Sequence, residues 1–285
     1  MGTMWRKTGW VLGLLLGACP KPPGIDPVDS GVNVDPDLIK PGSPAQFRFG
    51  NFVAGAGPVD LCLAKNGGDW VGPLARLKAQ RTGGVYYQNF SQYMEMDAGS
   101  YTVRAVPGNR SDCTVQYGGI PDMPMSALGE GRTYSLAPLG ELAKPLGIKI
   151  KLFEDSLSAQ GGQVRVRFVN LSPDVPSADF GLGQGGNYTP TLIDAVSGDL
   201  GRQNSAVYVA ISPQTGGAVT VRASGTSNVL WTTATGATLG AGAVYTLLIS
   251  GLAARTAPDP LALKFVACED NKVPQSGLTA CANLN

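Results

Sequence analysis

The densest group of residues that could do chemistry lies in the stretch LSPDVPSAD, residues 171–179. Its two carboxylates, Asp174 and Asp179, are potential Ca²⁺ ligands, but that ion needs roughly six to eight oxygens. Pro173 and Pro176 each fix φ near about −65°, and the carboxylate between them can accept backbone N–H groups. These residue types therefore favour a rigid corner of the chain over a metal site.

Catalysis has little support in the residue types of the chain. There is no histidine, so a serine or cysteine triad would lack its usual general base. The five cysteines include no paired Cys-x-x-Cys spacing, which argues against a zinc site. No glycine-rich motif opens a strand-to-helix unit of the kind that binds nucleotides. The sequence predicts a protein that is not an enzyme and uses no cofactor or metal.

The strand, corner and strand around this stretch occur twice, because residues 46–63 match residues 165–182 in register. The corner itself is not repeated: VAGAG stands in the first copy where SPDVP stands in the second. If the chain turns back at Pro173, Arg167 and Asp179 face each other across adjacent strands. We favour an ion pair on the face of the sheet there, worth about 0.2–1 kcal/mol, over a catalytic dyad. The matching residues are Arg48 with Arg167, Phe49 with Phe168, Asn51 with Asn170, Asp60 with Asp179 and Leu63 with Leu182.

Further matches extend the repeat over about a hundred residues, as expected for a tandem duplication. Within each copy, apolar residues alternate with polar ones in short runs separated by Gly and Pro, a pattern typical of strands. The sequence thus predicts an all-β chain with two tandem antiparallel β-sandwiches of immunoglobulin-like or transthyretin-like type. The further matches are TVRA at 102–105 and 220–223, Gly-x-x-Tyr at 131–134 and 242–245, and IKIKLF at 148–153 with LALKFV at 261–266.

The second copy, VRFVNLSPDVPSADFGL, resembles the signature of a bacterial family catalogued as domain of unknown function 4397. Members of that family begin with an alternating strand, a Ser-Pro-Asp-x-Pro corner and a second strand opened by Asp. The resemblance implies an exported protein in which such domains often occur in tandem. Both copies depart from the family pattern, with Asn51 and Asn170 where histidine is common. No activity comes with the family.

The first 19 residues have the pattern of an export signal. Two basic residues precede an apolar run from Trp10 to Leu16, and a membrane-spanning helix would need roughly 20 residues. The end of this run, Leu16-Gly-Ala-Cys19, resembles the bacterial lipobox, whose cysteine is diacylated after the signal is cut. Two acyl chains anchor a protein stably. The resemblance implies a lipid-anchored protein of the bacterial cell envelope, and Pro20 favours the outer membrane.

Five segments follow from the signal, the composition and the repeat. The stretch after Cys19 is rich in Pro, Asp and Gly, which predicts a disordered, flexible tether. The predicted segments are a lipoprotein signal peptide (1–18), the lipidated cysteine with its tether (19–43), a first β-sandwich (44–156), a second β-sandwich (162–267) and a C-terminal disulfide loop (268–285).

Four cysteines remain after Cys19, an even number in an exported chain where disulfides persist. Three connectivities are possible. Cys62 and Cys113 both lie in the first copy of the repeat, which favours a bridge between them. Cys268 and Cys281 would then close a short C-terminal loop.

Four aromatic residues lie close together in GGVYYQNFSQYMEM, residues 83–96. In a strand some of their rings would be core, and the others could stack on sugar rings or on a protein partner. A glycan-binding face formed by these rings is therefore an alternative function, and it requires exposed, coplanar side chains. The candidate ligand contacts are Tyr86, Tyr87, Phe90 and Tyr93.

The function that we expect from the sequence is that of a cell-envelope lipoprotein acting as a non-catalytic binding or structural module. With 22 basic and 21 acidic residues, the chain has no basic stripe for phosphates, so we expect no nucleic-acid partner. The expected partners are the membrane, through the lipid anchor, and an envelope protein or glycan. A glycan-binding accessory protein of polysaccharide handling or adhesion is the first alternative, and a histidine-independent hydrolase with two facing carboxylates is the second.

Overall fold

The regular structure of the protein is almost entirely β-strand, which confirms the predicted all-β class. The helical parts of the described chain are a short helix α1 (Leu74–Leu77) and a 3₁₀ turn (Pro145–Gly147). The signal peptide, Cys19 and the predicted tether up to residue 41 lie outside the described residues. The computed structural model describes residues 42–159, 161–183, 189–192, 208–233, 237–272 and 278–283.

The strands fall into two successive groups, which we call the first unit and the second unit. The strands of the first unit are β1 (Ala45–Ala54), β2 (Val59–Lys65), β3 (Trp70–Val71), β4 (Asn89–Phe90), β5 (Met94–Met96), β6 (Gly99–Pro107), β7 (Met123–Leu128), β8 (Thr133–Glu141) and β9 (Lys149–Asp155). Those of the second unit are β10 (Val164–Asn170), β11 (Ala178–Gly183), β12 (Thr189–Leu192), β13 (Val209–Ile211), β14 (Gln214–Ala223), β15 (Val229–Thr232), β16 (Ala237–Leu239), β17 (Val244–Ser250), β18 (Lys264–Glu269) and β19 (Ala280–Asn283).

Each unit has two sheets with closely similar strand order. In the first unit, β1 lies between β8 and the short strands β4 and β5, with β9 beside β8; the other sheet has the order β3-β2-β6-β7. In the second unit the corresponding orders are β13-β10-β17-β18-β19 and β12-β11-β14-β15, with β16 also paired to β14. The chain therefore crosses repeatedly between the two sheets of a unit, as in a sandwich.

One sheet of each unit is mixed, which corrects the prediction of purely antiparallel sandwiches. Strand β1 pairs in parallel with β8, and β10 pairs in parallel with β17. The chain leaves β1 for the other sheet and later returns as β8 on the free side of β1, running in the same direction. Periodicity indicates which face a residue occupies but not the direction of the neighbouring strand, so the sequence could not reveal this pairing.

Each unit has its own apolar core between its two sheets. Alternate residues of β1, such as Phe47 and Phe49, lie in the core of the first unit. Val164, Val166 and Phe168 of β10 lie in the core of the second, as the alternation of the sequence predicts. Burial of these residues is the main source of stability for each sandwich, at about 25 cal/mol per Å² of apolar surface.

A third core joins the two units and covers the opposite faces of β1 and β10. The sheet containing β1, β8 and β9 packs on the sheet containing β10, β17 and β18. The side of these strands that the sequence pattern left for solvent is therefore buried against the other unit. Its apolar members are Phe52, Phe90, Ala137, Leu139 and Phe153 from the first unit and Val169, Leu171, Leu248, Val266 and Cys268 from the second.

The two predicted disulfides are present, each within one unit. Cys62 of β2 is bonded to Cys113 in the loop after β6, with their Cα atoms 6.0 Å apart. Cys268 of β18 is bonded to Cys281 of β19, and the two residues lie directly opposite each other in antiparallel strands. The second bridge therefore fastens the edge strand of a sheet.

The sheet of the second unit that contains β10 continues past the predicted end of that domain. The bound at residue 267 falls inside β18, since this strand runs to Glu269 and pairs with β19. The other predicted bounds stay predictions. No helix in the described part of the chain is long and apolar enough to span a membrane.

Gly251, just after β17, lies too close to its neighbours to carry a side chain. Its φ is +103°, and an added Cβ would lie 2.4 Å from the Ala262 carbonyl oxygen. Gly225 has a φ of +70° but open space around its Cα. A substitution there therefore measures the cost of placing a side chain at positive φ, without the cost of a steric clash. We expect Gly225→Ala to lower the free energy of unfolding by about 1 kcal/mol, and Gly251→Ala by about 2–4 kcal/mol. Urea unfolding of both variants measures the difference, and equal losses would contradict the close approach at Gly251.

Candidate functional site

The two arginines of the repeated motif do not pair with the aspartates predicted for them. Asp60 and Asp179 lie on β2 and β11, which belong to the other sheet of each unit. The prediction failed because the chain crosses from one sheet to the other at the corner, so the two strands of the motif are not neighbours. Arg48 and Arg167 instead point into the contact between the units, where both are completely buried.

Arg48 uses its whole guanidinium in that contact. Its Nη2 donates to Asp270 Oδ1 at 2.6 Å, which pairs it with an acid of the second unit. Its Nε donates to Ser135 Oγ at 2.6 Å, and its Nη1 donates to Thr279 Oγ1 at 3.2 Å. Every branch of the side chain is thus occupied by an acceptor inside the protein.

Arg167 makes the reciprocal contacts from the second unit. Its Nη2 lies 2.5 Å from Asp155 Oδ1 of the first unit, and its Nε donates to Thr246 Oγ1 at 2.7 Å. Its Nη1 donates to the Glu154 carbonyl at 3.4 Å. Each arginine therefore pairs with the acid at the end of the other unit's sheet.

Hydroxyl groups complete the coordination of the two acids. Asp155 Oδ2 accepts from Ser135 Oγ at 2.6 Å and from Tyr93 Oη at 2.8 Å. Asp270 Oδ2 accepts from Thr246 Oγ1 at 2.5 Å and from Tyr208 Oη at 2.9 Å. The same four kinds of residue, an arginine, an aspartate, a hydroxyl residue and a tyrosine, thus come from each unit. We call these eight residues the exchange network; they are Arg48, Tyr93, Ser135, Asp155, Arg167, Tyr208, Thr246 and Asp270.

Aromatic rings enclose the two guanidinium groups. The Arg48 guanidinium lies 4.5 Å from the Phe90 ring centroid and 4.6 Å from that of Tyr93. The Arg167 guanidinium lies 4.8 Å from the Tyr208 ring centroid and 5.4 Å from that of Phe153. These contacts add cation–π attraction in a desolvated setting, where such pairs are strongest.

The network keeps its arginines charged although it is closed to solvent. Burial works against the positive charge of Arg48, but the carboxylates of Asp270 and Asp155 outweigh it, so the pKa of Arg48 lies above its ordinary value. The pKa of Arg167 is raised in the same way, chiefly by Asp155 against the effect of burial. Burial also raises the pKa values of Tyr93 and Tyr208 well above the usual range, so both phenols stay protonated as donors.

The geometry of the network suits it for holding the units together. Asp155 and Asp270 are 7% and 3% exposed, and each is neutralised by an arginine. Two acids in this state cannot meet a substrate, as the pair required by the hydrolase alternative would have to. Removing one partner of such a buried pair leaves an uncompensated charge in a low-dielectric setting, which is strongly destabilising.

The remaining residues of the repeated motif hold loops in place. Asp60 accepts hydrogen bonds from the backbone N–H groups of Leu61, Ala75 and Arg76, which fixes the start of α1 beside β2. Asp179 accepts from Ser224 Oγ and from the Gly225 N–H after β14. The two aspartates are thus buried acceptors of the unit in which they lie.

The two asparagines fasten the corners that follow β1 and β10. Asn51 Nδ2 donates to the Gly57 carbonyl at 2.9 Å, and Asn170 Nδ2 donates to the Val175 carbonyl at 2.7 Å. One amide can therefore hold corners of quite different sequence. Near the end of β1, Gln88 Nε2 donates to the Ser250 carbonyl at 3.4 Å, so the ends of β1 and β17 lie together across the contact between the units.

The Ser-Pro-Asp-x-Pro corner is bound to the loop after β17. Asp174 accepts the backbone N–H groups of Ala253 at 2.8 Å and Ala254 at 2.9 Å. Ser172 Oγ donates to the Gly251 carbonyl at 2.7 Å. The carboxylate thus serves the structural purpose expected of it. Within the described residues, no group of three or more His, Cys, Asp or Glu is placed to hold a metal ion.

The four aromatic residues singled out as ligand contacts do not form an exposed platform. Phe90 is 1% exposed and belongs to the core between the units, and Tyr93 is a member of the exchange network. Tyr87 is half-buried, and burial raises the pKa of its phenol. Tyr86 is 51% exposed, and the Arg81 guanidinium lies 5.2 Å from its ring centroid. The cause is that residues 89–90 form a strand paired with β1, which turns the later rings inward.

Sequence reasoning missed the acids of the exchange network, although a signal was present. The dipeptide Glu-Asp occurs at 154–155 and again at 269–270. The sequence alignment set Phe153 beside Val266, whereas the strand pairing sets Phe153 in the position of Cys268, since they oppose Ser135 and Thr246. Aligning the two acidic dipeptides would have given the correct register and brought the two aspartates into correspondence.

Arg48→Met tests the energetic weight of the network. We expect a loss of about 3–5 kcal/mol in the free energy of unfolding, because Asp270 would be left buried without its counter-charge. Arg132→Met is the matched control, since Arg132 forms an equally short pair with Glu154 at the surface, worth less than about 1 kcal/mol. Urea unfolding followed by near-ultraviolet circular dichroism gives both values. A loss at Arg48 no larger than that at Arg132 would contradict the proposed weight.

Lys151 gives the contact between the units a pH dependence. It lies two residues before Phe153 on the same face of β9, and burial lowers its pKa from 10.5 to about 8. Its charge is penalised in the folded state below about pH 8, and the penalty disappears as the pH rises towards 10.5. We expect Lys151→Met to stabilise the protein at pH 7 by up to roughly 3 kcal/mol, with the gain shrinking towards pH 10. Thermal unfolding at pH 7 and pH 10 measures the gain, with exposed Lys149→Met as control; a gain independent of pH would refute this origin.

Comparison with known proteins agrees with the pattern of strands and corners. Residues 45–181 match the model of a family described as a domain of unknown function (DUF4397). The match runs through all nine strands of the first unit and continues into β11 of the second. No curated protein matches the chain. Residues 45–181, just under half of the chain, are therefore similar to the DUF4397 family.

Proposed function

We propose that this protein is a lipid-anchored lipoprotein of the bacterial cell envelope whose two units form a single non-catalytic binding or structural module. The observation that carries this proposal is the exchange network, which uses the arginines of both units as a buried fastening between them. Such a buried contact suits a module in which the two units act together as one rigid body.

The use of the shared polar residues supports a non-catalytic role. Both copies of the motif contain an arginine, an asparagine and an aspartate, and in both units these side chains bind backbone or side-chain groups of the protein itself. A catalytic centre would need at least some of its charged groups to face a cleft. The residues that the two units have in common instead specify the fold and the contact between the units.

The glycan-binding alternative receives less support from the structure. Of the four aromatic residues on which it rested, Tyr86 is exposed by about half, and Phe90 and Tyr93 lie in the contact between the units. Binding of sugar rings commonly relies on aromatic faces open to solvent, which here would reduce to Tyr86. We therefore place the binding role on a surface other than an aromatic platform at residues 83–96.

The anchor rests on the sequence around Cys19. A leucine, two small residues and the cysteine end an apolar run that is shorter than a spanning helix, and the mature chain is then near neutral. Two acyl chains on this residue would hold the protein at the membrane, with residues 20–43 between the lipid and the first unit. Pro20 after the cysteine is the basis for proposing the outer membrane.

Cys19→Ala tests the anchor. In cells fed an alkyne fatty-acid analogue, we expect this variant to lose all label and to move from the membrane fraction to the soluble fraction. The double variant Cys62→Ala, Cys113→Ala is the matched control, because it removes two cysteines of the first unit and should keep both label and membrane association. Retention of Cys19→Ala in washed membranes would refute lipid anchoring.

A further inference from the structure

We propose that the surface joining the two units is self-complementary, and that two copies of the chain can pair through it by exchanging units. In the exchanged dimer, the first unit of each copy packs on the second unit of the other copy. This proposal concerns the partner of that surface and holds with or without the lipid anchor.

The exchange network has the form of the interface of a symmetric dimer. In an isologous interface, residue i of one protomer contacts residue j of the other, and j contacts i. Here Arg48 contacts Asp270 and Arg167 contacts Asp155, with each arginine on the first strand of its unit and each aspartate at the end of the corresponding later strand. The interface is thus that of a homodimer built into one chain.

The apolar part of the surface is balanced in the same way. Each unit contributes five buried apolar residues to the core between the units. Several occupy equivalent strand positions, as do Ala137 and Leu248, which lie two residues beyond Ser135 and Thr246. A surface of this composition offers a second copy the same contacts that the chain makes within itself.

The covalent structure leaves the units free to change partners. Both disulfides lie within a unit, so neither ties the first unit to the second. The main chain crosses from one unit to the other through residues 156–163, where Arg165 Nη1 donates to Ser156 Oγ at 3.0 Å and to the Ser158 carbonyl at 2.7 Å. Releasing these contacts lets the connection take a different path without altering either sandwich.

The connection between the units sets the protein concentration at which the exchanged dimer competes with the monomer, in which the two units of one chain pack on each other. A short linker holds two modules at an effective concentration of about a millimolar, so the closed monomer dominates at micromolar concentrations. The exchanged dimer contains the same interface twice and becomes comparable at about a millimolar. Weakening the interface within one chain, while preserving it between chains, should therefore bring the dimer to low concentration.

A pair of charge-reversed variants makes that change. Arg48→Asp places a carboxylate opposite Asp270, and Asp270→Arg places a guanidinium opposite Arg48, so each variant alone has a repulsive contact. In a mixed exchanged dimer, one interface carries the original pair and the other carries the reversed pair. We expect an equimolar mixture at about 50 μM to contain at least tenfold more dimer than either variant alone. Light scattering after gel filtration measures the amount of dimer.

A mixture of Asp270→Arg with the unchanged protein is the control. One of its two interfaces in an exchanged dimer would keep the repulsive contact, so no enrichment is expected. A mixture of the two variants that stays monomeric, with near-ultraviolet circular dichroism showing both folded, would overturn the proposal. An amount of dimer in either variant alone that equals the amount in the mixture would overturn it as well.

A second measurement covers the case in which the reversed charges prevent folding. Unchanged chains labelled with ¹⁴N and ¹⁵N are mixed at about 1 mM, incubated and analysed by native mass spectrometry. We expect a dimer of intermediate mass whose abundance falls on dilution. Absence of the mixed dimer from the unchanged chains at this concentration would overturn the proposal.

Discussion

The structure depends on one interaction, the reciprocal pairing of Arg48 with Asp270 and of Arg167 with Asp155. Two full charges of each sign are removed from water there, which is tolerable because every charged branch has a partner and the rings of Phe90, Tyr93, Phe153 and Tyr208 surround the guanidinium groups. An apolar core of ordinary composition could have joined the same sheets. The charged network adds a requirement for one register, since a shift of either sheet would leave an arginine unpaired.

Much of the fold could be predicted because it follows from local patterns in the sequence. The alternation of Val164, Val166 and Phe168 indicated one face of a strand, and the position of Cys62 and Cys113 in one copy of the repeat indicated their bridge. The parallel pairing of β1 with β8 could not be predicted in this way, because strand direction depends on how the chain crosses between sheets. Period-two patterns carry no information about that crossing.

The candidate site was predicted less well, for a related reason. Sequence spacing placed Arg167 opposite Asp179 within one motif, whereas its true partner, Asp155, belongs to the other unit. Tyr93 was expected to meet a ligand and instead donates to that same aspartate. Burial between two units cannot be read from the pattern of one, since a face that is polar at a few positions looks like a face turned to water. The repeated Glu-Asp dipeptide was the available signal.

The contact between Gln88 and Ser250 has a consequence for the polarity of the molecule. Together with the pairing near Arg48, at the beginning of β1, it shows that β1 and β17 run in the same direction along the contact between the units. The corners after β1 and β10 therefore gather at one end, and the chain enters β1 from Gly42 at the other. The molecule has a proximal pole, where the preceding residues attach, and a distal pole, where turns of both units are presented side by side.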